Sequence, residues 1–574
     1  MKSNQTLMSK KFHSMLLGGT LTWMVVSFLL LLDSIVAGIV IGSDAVAGIT
    51  LVTPVYSLSA FFGSMFSIGV SVLYAREMGR FNKEKADQIF GTGFFMSIGI
   101  GGILFILINI FGEKYLCSYS PPEEVLIQAR GYLYWMRFTI LIIPIQTFIG
   151  AMVLSDGDEN TSSIADVVQG VGNTILSIAL GKMIGIRGIG LASFLFYVIS
   201  VLILLTHFIK KSNSLRINLY FSFGILKKII THSIIDSSSY LFLSIFSVFI
   251  NAFVSTMYGP EYLILASVII LCREFQVLFD GIGEAANPVF GVYVSERNHI
   301  GIRATYTLAK KAAIIEGIGV TTFLMFVAPF APQVLNVTNP TLAQWIIVSV
   351  RIISLNSLFI SILYLLTSYY LVIEQIALGL MVCILRDVGL SVILVIILGG
   401  VLNITGMLVG ITIAPAIAYA SLLIYIFLRC GRKDCPLLLS RVQEFKNYYF
   451  FNIIVKKEEI VSMQRKIETV LKENNIDKWI IGQVTLLLEE IYVLILEMNN
   501  NVDVLAECTV FLHPDGIQII SKDDGVLFDI ADERINTKSL SAYTISMYLE
   551  KRKFENHNLT TMSFNRNSFF IKYK

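Results

Sequence analysis

Over the first 430 residues, apolar stretches of about twenty residues or more alternate with short polar or Gly- and Pro-marked breaks. That is the length a helix needs to cross the hydrocarbon layer of a bilayer. About twelve spans are predicted, at 15–41, 46–74, 90–112, 131–154, 162–184 and 188–209, then 231–257, 262–291, 311–330, 342–371, 375–398 and 404–428. The polar break at 210–230 divides them into two sets of six. After about residue 435 the pattern changes, with frequent charges and shorter apolar runs. Residues 457–474 and 479–498 have amphipathic helical spacing. Alternating, strand-like segments follow at 507–512 and 516–522, about a turn running from His513 to Gly516.

Composition agrees with lipid as the main solvent. The 574 residues are 55% hydrophobic and 15% charged, against roughly 25% charged in an average soluble domain, and the mean hydropathy is +0.72. Thirty-nine Phe, no glycine period and six scattered Cys exclude disorder, a fibrous repeat and a disulfide-stapled secreted domain. A net charge of +3 is too small to argue for nucleic acid. Only Cys430 and Cys435 lie close together, with no His nearby, so the cysteines read as reduced thiols and no metal site is expected. The first apolar run, Met15 to Ile41, is too long for the core of a cleavable signal.

Basic residues gather on one side of the predicted spans, before the first and after the second, sixth, eighth and twelfth. Examples are Arg76 and Lys83, Lys227 and Lys228, Arg303 and Lys310. Retention of positive charge in the cytoplasm makes both termini cytoplasmic in a multi-pass cell-membrane protein. The expected division is a cytoplasmic N-terminus at 1–14, a six-helix bundle at 15–209, a linker at 210–230, a second bundle at 231–428, a linker at 429–454, and a cytoplasmic domain at 455–574. The halves look alike: the second and eighth spans each follow an acid, Asp44 or Glu261, and end in glycines before a basic loop. Such duplication marks secondary transporters.

An ionisable side chain inside the bilayer needs a partner, a watery cavity or a function. Asp33 is the one acid of the first span and reads either as a cation or protonation site or as an acid bonded to a neighbouring helix. In the second half, Arg273 and Glu274 read first as structural, toward the outer third of a long tilted helix, and Arg386 with Asp387 as a structural intramembrane pair, whereas Asp236, Asp280 and Glu284 are open as cation-site candidates. Spacing by four puts Asp280 and Glu284 on one helix face, with Pro288 beyond.

Asp33 to Gly38, Gly42 to Gly48, Pro54, Gly69 and the run Ala75 to Ala86 resemble the first two spans of the multidrug and toxic compound extrusion (MATE) family. Gly281 to Pro288 with Gly291 resembles its eighth span, and Gly172-Asn173 with Gly185 to Ala192 its fifth-span region. The resemblance covers roughly residues 10–430. It implies an all-α polytopic membrane protein of about twelve transmembrane helices in two six-helix bundles, exporting amphipathic compounds in exchange for Na+ or H+, with no other cofactor. It also implies that Asp33 is the coupling acid and Asn173 its neighbour. Where many members place an Asp four residues after that Asn, this chain has Ser177. Asp236 matches a seventh-span acid, but the tenth span offers Arg351 and no carboxylate.

In the tail, Leu486 to Ile491 on a helix and Asp523 to Gly525 after a strand resemble the Bergerat-type ATPase fold of gyrase, histidine kinases and anti-sigma-factor kinases, most of all the last. The resemblance assigns Glu490 as general base, Asp523 as the adenine-recognising carboxylate and Gly525 to close backbone approach. The Mg2+-holding Asn of the family is Leu494 here, and the glycine-rich lid is replaced by Ser539 to Tyr543. A small α/β domain that regulates, docks a cytoplasmic protein or senses ATP follows, rather than an ATPase or kinase. No phosphate-binding loop of a primary pump is present. The reading is thus a secondary transporter and not an enzyme, with partners limited to a small-molecule substrate, the bilayer and a protein bound by the tail. Two alternatives stand beside it: a flippase for lipid-linked sugars, and a membrane receptor signalling through the tail.

Overall fold

The computed structural model describes residues 7–79, 82–210, 213–216, 220–432, 435–442, 448–500, 502–528, 539–546, 553–559 and 562–573. In lipid a chain must satisfy its backbone groups within each segment, and the apolar runs accordingly form helices. They are α1 (Leu7–Val40), α2 (Ser43–Gly79), α3 (Lys83–Cys117), α4 (Glu123–Ser155), α5 (Glu159–Val167), α6 (Asn173–Ile184), α7 (Ile186–Leu205) and α8 (Phe223–Met257). Then come α9 (Leu263–Phe275), α10 (Asp280–Ser295), α11 (His299–Val327), α12 (Ala331–Val334), α13 (Pro340–Ser354), α14 (Ser357–Val372), α15 (Ile376–Ile384) and α16 (Leu390–Cys430). Two π-helical turns, Val168–Gly172 and Leu385–Gly389, interrupt the fifth span of one half and the eleventh span of the other. Such turns shift the side chains that follow them and often occur at functional positions.

Side chains explain the starts and the packing. Asn82 caps α3 by accepting from the Lys85 amide, and Asp158 caps α5 by accepting from that of Thr161. On α3, Ile103, Ile106, Leu107, Ile110 and Phe111 point outward, as lipid-facing side chains do. Its opposite face meets a Phe-rich core that includes Phe61, Phe66, Phe90 and Phe148. Gly69 lets α2 approach α8 so closely that a Cβ there would stand 2.5 Å from the Ile229 carbonyl oxygen.

The chain forms two compact units, Thr20–Gly283 with Ala309–Pro436, and Met1–Gly19 with Glu284–Leu308 and Leu437–Lys574. The second holds the tail: strands β1 (Tyr448–Val455), β2 (Val504–His513), β3 (Gly516–Asp523), β4 (Lys553–Leu559) and β5 (Met562–Lys572), with helices α17 (Lys457–Glu473), α18 (Lys478–Met498) and α19 (Leu540–Ser546). The sheet is antiparallel throughout, in the order β1-β2-β3-β5-β4. The β2–β3 hairpin closes with His513 opposite Gly516, leaving Pro514 and Asp515 as its two-residue loop. Val484, Leu487 and Ile491 of α18 share a core with Ile519 and Phe569 of the sheet.

Several boundaries differ from the expected ones. Among the described residues, ten helices are long and apolar enough to cross a membrane, eleven with the bent pair α13–α14, and one of the ten is α18, which lies in the tail's core. The tenth span is not straight but bends by 45° between α13 and α14. Residues 376–430 run on as one helical stretch, although Leu402 and Asn403 leave helical geometry, Asn403 at φ 54°. The tail does not begin at 455, because the apolar strand β1 already pairs with β2 from Tyr448. The eighth span runs on as one apolar stretch, Pro260–Ser295, while residues 284–308 group with the tail.

Candidate functional site

Asp33 of α1 is held by three helices. Its Oδ2 accepts from Ser193 Oγ of α7 at 2.8 Å and from Tyr132 OH of α4 at 3.2 Å, and its Oδ1 accepts from Asn173 Nδ2 of α6 at 3.1 Å. Asn173 is the first residue after the π-helical turn, where Gly172 leaves room for Phe196; a Cβ at Gly172 would stand 2.1 Å from that ring. Ser177, one turn on, donates to Asn173 Oδ1 at 3.2 Å. Ser193 Oγ also lies 3.3 Å from Asn173 Oδ1 and 3.2 Å from the Ile189 carbonyl. One hydroxyl proton serves one acceptor well, and the shortest of the three contacts is to Asp33. The structure brings Asp33, Asn173 and Ser177 together. Tyr132 and Ser193 were not foreseen, and no local spacing announces them, since they arrive from separate helices.

Asp33 opens on a cavity of about 470 Å³. Its lining comes from both sets of six spans, with Tyr240 of α8 and Glu274 of α9 facing residues of α1, α2, α4 and α7. Three carboxylates line it, Asp33, Asp166 and Glu274, and its described lining includes no Lys, Arg or His. Aromatic rings complete it: Trp23, Tyr56, Tyr132, Tyr197 and Tyr240, with Tyr56 and Tyr197 joined through their hydroxyls at 3.1 Å. Such a chamber suits an amphipathic cation, through charge and ring faces together.

The second-half acids are arranged differently. Arg386 makes a two-pronged pair with Asp387, both bonds 2.7 Å, and its guanidinium lies 3.6 Å from the centre of the Tyr364 ring. Arg273 reaches Ser391 Oγ at 2.8 Å and Asp387 at 3.9 Å. Arg273 and Glu274, adjacent in sequence, take different surroundings: Arg273 approaches Asp387, and Glu274 lines the large cavity. Asp280 lines a small cavity of about 40 Å³ beside Arg273 and Asp387. Glu284 does not join it, being exposed and in the other unit. The Asp236 side chain lies outside the described residues.

In the tail unit, Glu490 is half-buried on α18, and Leu494, at the position of the missing Mg2+ ligand, is fully buried in the core. Asp523 ends β3. Burial pushes its carboxyl up to about 7, opposed by Asn565 Nδ2 at 2.9 Å and the Gly525 amide at 3.1 Å on Oδ1. Its buried Oδ2 has no partner among the described residues. The close approach at Gly525 is to Asn499, whose amide nitrogen would stand 2.5 Å from a Cβ there. Residues 529–538, just before the expected lid replacement, lie outside the described residues.

A second feature of this unit was not foreseen. Lys522, Glu296 and Glu507 are fully buried together, the ammonium 2.8 Å from Glu296 and 3.2 Å from Glu507. Glu507 also accepts from Tyr293 OH at 3.0 Å and from the Met8 amide at 3.4 Å, and Arg566 lies 3.4 Å from Glu296. Burial alone would depress the Lys522 ammonium, but Glu296 and Glu507 outweigh it and hold the group above its ordinary value. The cluster ties strands β2, β3 and β5 to the N-terminal segment and to the residues around the α10–α11 turn.

Fold and cavity together define a polytopic helical membrane protein whose two sets of spans enclose a chamber. The chain superposes on a multidrug-resistance MATE-family transporter of the MOP superfamily in its inward-facing conformation, with TM-score 0.64 and 22% identity over 70% of this chain and 93% of that one. A MOP-superfamily transporter from Pyrococcus furiosus gives 0.61 and 21% over 73% and 95%, and a MATE protein in complex with MaD3S gives 0.59 and 21% over 73% and 95%. Residues 20–181 match the MatE family model. In sequence, the chain is 26% identical over 186 residues to the probable multidrug resistance protein YoeA of Bacillus subtilis (strain 168). That match takes in 31% of this chain and spans 39% of the curated relative. The membrane region therefore has the MATE fold, and the proteins it resembles are secondary transporters rather than enzymes.

Proposed function

We propose that this protein is a cation-coupled antiporter that exports amphipathic, positively charged compounds across the cell membrane in exchange for Na+ or H+. The observation that carries the reading is the base-free cavity between the two sets of spans, acidic and ringed by aromatic side chains, with Asp33 at its wall. Twelve spans form two bundles in this reading: α1 is counted, residues 376–430 count as two at the Leu402–Asn403 break, and α18 is not counted. Both termini are cytoplasmic, on the distribution of Lys and Arg. An anionic lipid-linked sugar would meet three carboxylates and no described base in the cavity, which favours export of cations over the flippase reading.

The coupling step is local. With Asp33 ionised, Ser193, Tyr132 and Asn173 all donate to it, and α1, α4, α6 and α7 are drawn together. A proton on Asp33 turns an acceptor into a donor and frees Ser193 to bond Asn173; a sodium ion would withdraw carboxylate oxygens from the same donors. Either change favours one access state over the other by as much as the cation's affinity differs between them.

The tail, in this reading, is a non-catalytic relative of the anti-sigma-kinase domain that senses nucleotide or docks a cytoplasmic protein. Its β-α-α-β-β order and the buried, half-partnered Asp523 support that reading, and the leucine at 494 argues against Mg2+-dependent hydrolysis. Efflux of a fluorescent cationic dye from everted vesicles, with sodium and proton gradients imposed separately, tests the proposal. One of the gradients should drive transport; failure of both in vesicles that contain the inserted protein would sink it.

A further inference from the structure

The three carboxylates of the large cavity are not equivalent. Asp33 has both oxygens engaged by three donors. Asp166 is exposed on α5. Glu274 is the exception: only 8% exposed, lining the cavity, with no donor or base bonded to it among the described residues. Its neighbour Arg273 is turned away toward Ser391 and Asp387. A buried carboxylate without a cation is costly, and one aimed into an aromatic-lined chamber is offset best by a ligand that supplies the charge and covers the rings.

We propose that Glu274 is the group that receives the positive charge of the exported compound, with Asp33 kept as the separate site of the coupling cation. The ligand class is an organic monocation, an ammonium or phosphonium carried on aromatic or alkyl groups, sized to a chamber of about 470 Å³. This inference rests on the transport reading above and adds a division of labour: substrate charge on α9, driving cation on α1.

Binding of tetraphenylphosphonium to the purified full-length protein tests it. Glu274→Gln should weaken binding by about tenfold or more, as loss of a charge-assisted contact does, and Glu274→Asp should recover part of the loss. A measurement independent of variant folding is labelling of the wild-type protein with dicyclohexylcarbodiimide, which attacks carboxyls in apolar surroundings. Tetraphenylphosphonium should protect Glu274 from labelling. A wild-type protein that exports dye, yet shows no protection of Glu274 and an unaltered affinity in Glu274→Gln, overturns the assignment and leaves the transport reading standing. A wild-type protein that neither binds nor exports cations overturns both.

Discussion

Replacing Lys522 with Met removes the ammonium that pairs with both Glu296 and Glu507 and leaves two fully buried carboxylates without it. Methionine keeps most of the aliphatic volume, so the loss is one of charge. Breaking a buried pair by deleting one partner costs about 3–5 kcal/mol, because the remaining charge is neither hydrated nor paired. Arg566, 3.4 Å from Glu296, and Tyr293, 3.0 Å from Glu507, hold the value toward the lower end. At 1.4 kcal/mol per factor of ten, native-state hydrogen exchange of the β2, β3 and β5 amides should speed up by roughly a hundredfold to a thousandfold. The double variant Glu296→Gln with Lys522→Met removes both the cation and one stranded carboxylate, and should recover at least about 2 kcal/mol of that loss. Because the Lys522 ammonium is held above its ordinary value, this contribution is complete below that value and should not fade between pH 6 and 9. A cost under about 1 kcal/mol, or strict additivity of the two substitutions, would refute the claim that this cluster fastens the tail to the residues around the α10–α11 turn.

Asp523, raised by burial to about 7 from a value near 3.8, binds its proton more tightly folded than unfolded, so local stability of the tail should fall as pH rises from 4 to 7. The loss is roughly 4 kcal/mol at most, and exchange of the β3 amides followed against pH should become flat in Asp523→Asn. Gly69→Ala forces a methyl against the Ile229 backbone at 2.5 Å; parting α2 from α8 should cost about 2 kcal/mol, read as a lower melting temperature in detergent, and an unchanged value would contradict the close approach. His207 lies 2.8 Å from Asp158 through Nδ1 and 2.8 Å from Asp156 through Nε2, joining the two carboxyls. His207→Phe should therefore loosen the segment at Ser214, which also bonds Asp156, and raise its protease sensitivity.

Much of this architecture is legible in the sequence because its signals are local. Apolar runs mark the helices, the 3.6-residue period marks α17 and α18, and Pro514-Asp515-Gly516 marks the hairpin. Asp33 stands out because a lone acid among leucines needs an explanation. Glu274 reads as structural in the sequence because it stands beside Arg273 toward one end of a long span, yet adjacent residues on a helix point about 100° apart and do not face each other, and here they line different cavities. Asp280 and Glu284 show that a shared helix face does not guarantee a shared environment, since Asp280 lines a small cavity and Glu284 is exposed. Glu296 sits among basic residues that read only as orientation signals, and its partner Lys522 is 226 residues away. Strands β4 and β5 have too polar a pattern to be recognised without the sheet they complete.

The central claim is that a cation at Asp33 drives export through the cavity it lines. Purified Asp33→Asn protein reconstituted into liposomes tests it most directly, with uptake of a cationic dye measured under an imposed sodium or proton gradient and, separately, as dye-for-dye exchange without one. Gradient-driven accumulation should vanish while exchange persists, because the cavity remains and only the coupling group is lost. Undiminished gradient-driven accumulation by Asp33→Asn would contradict the account.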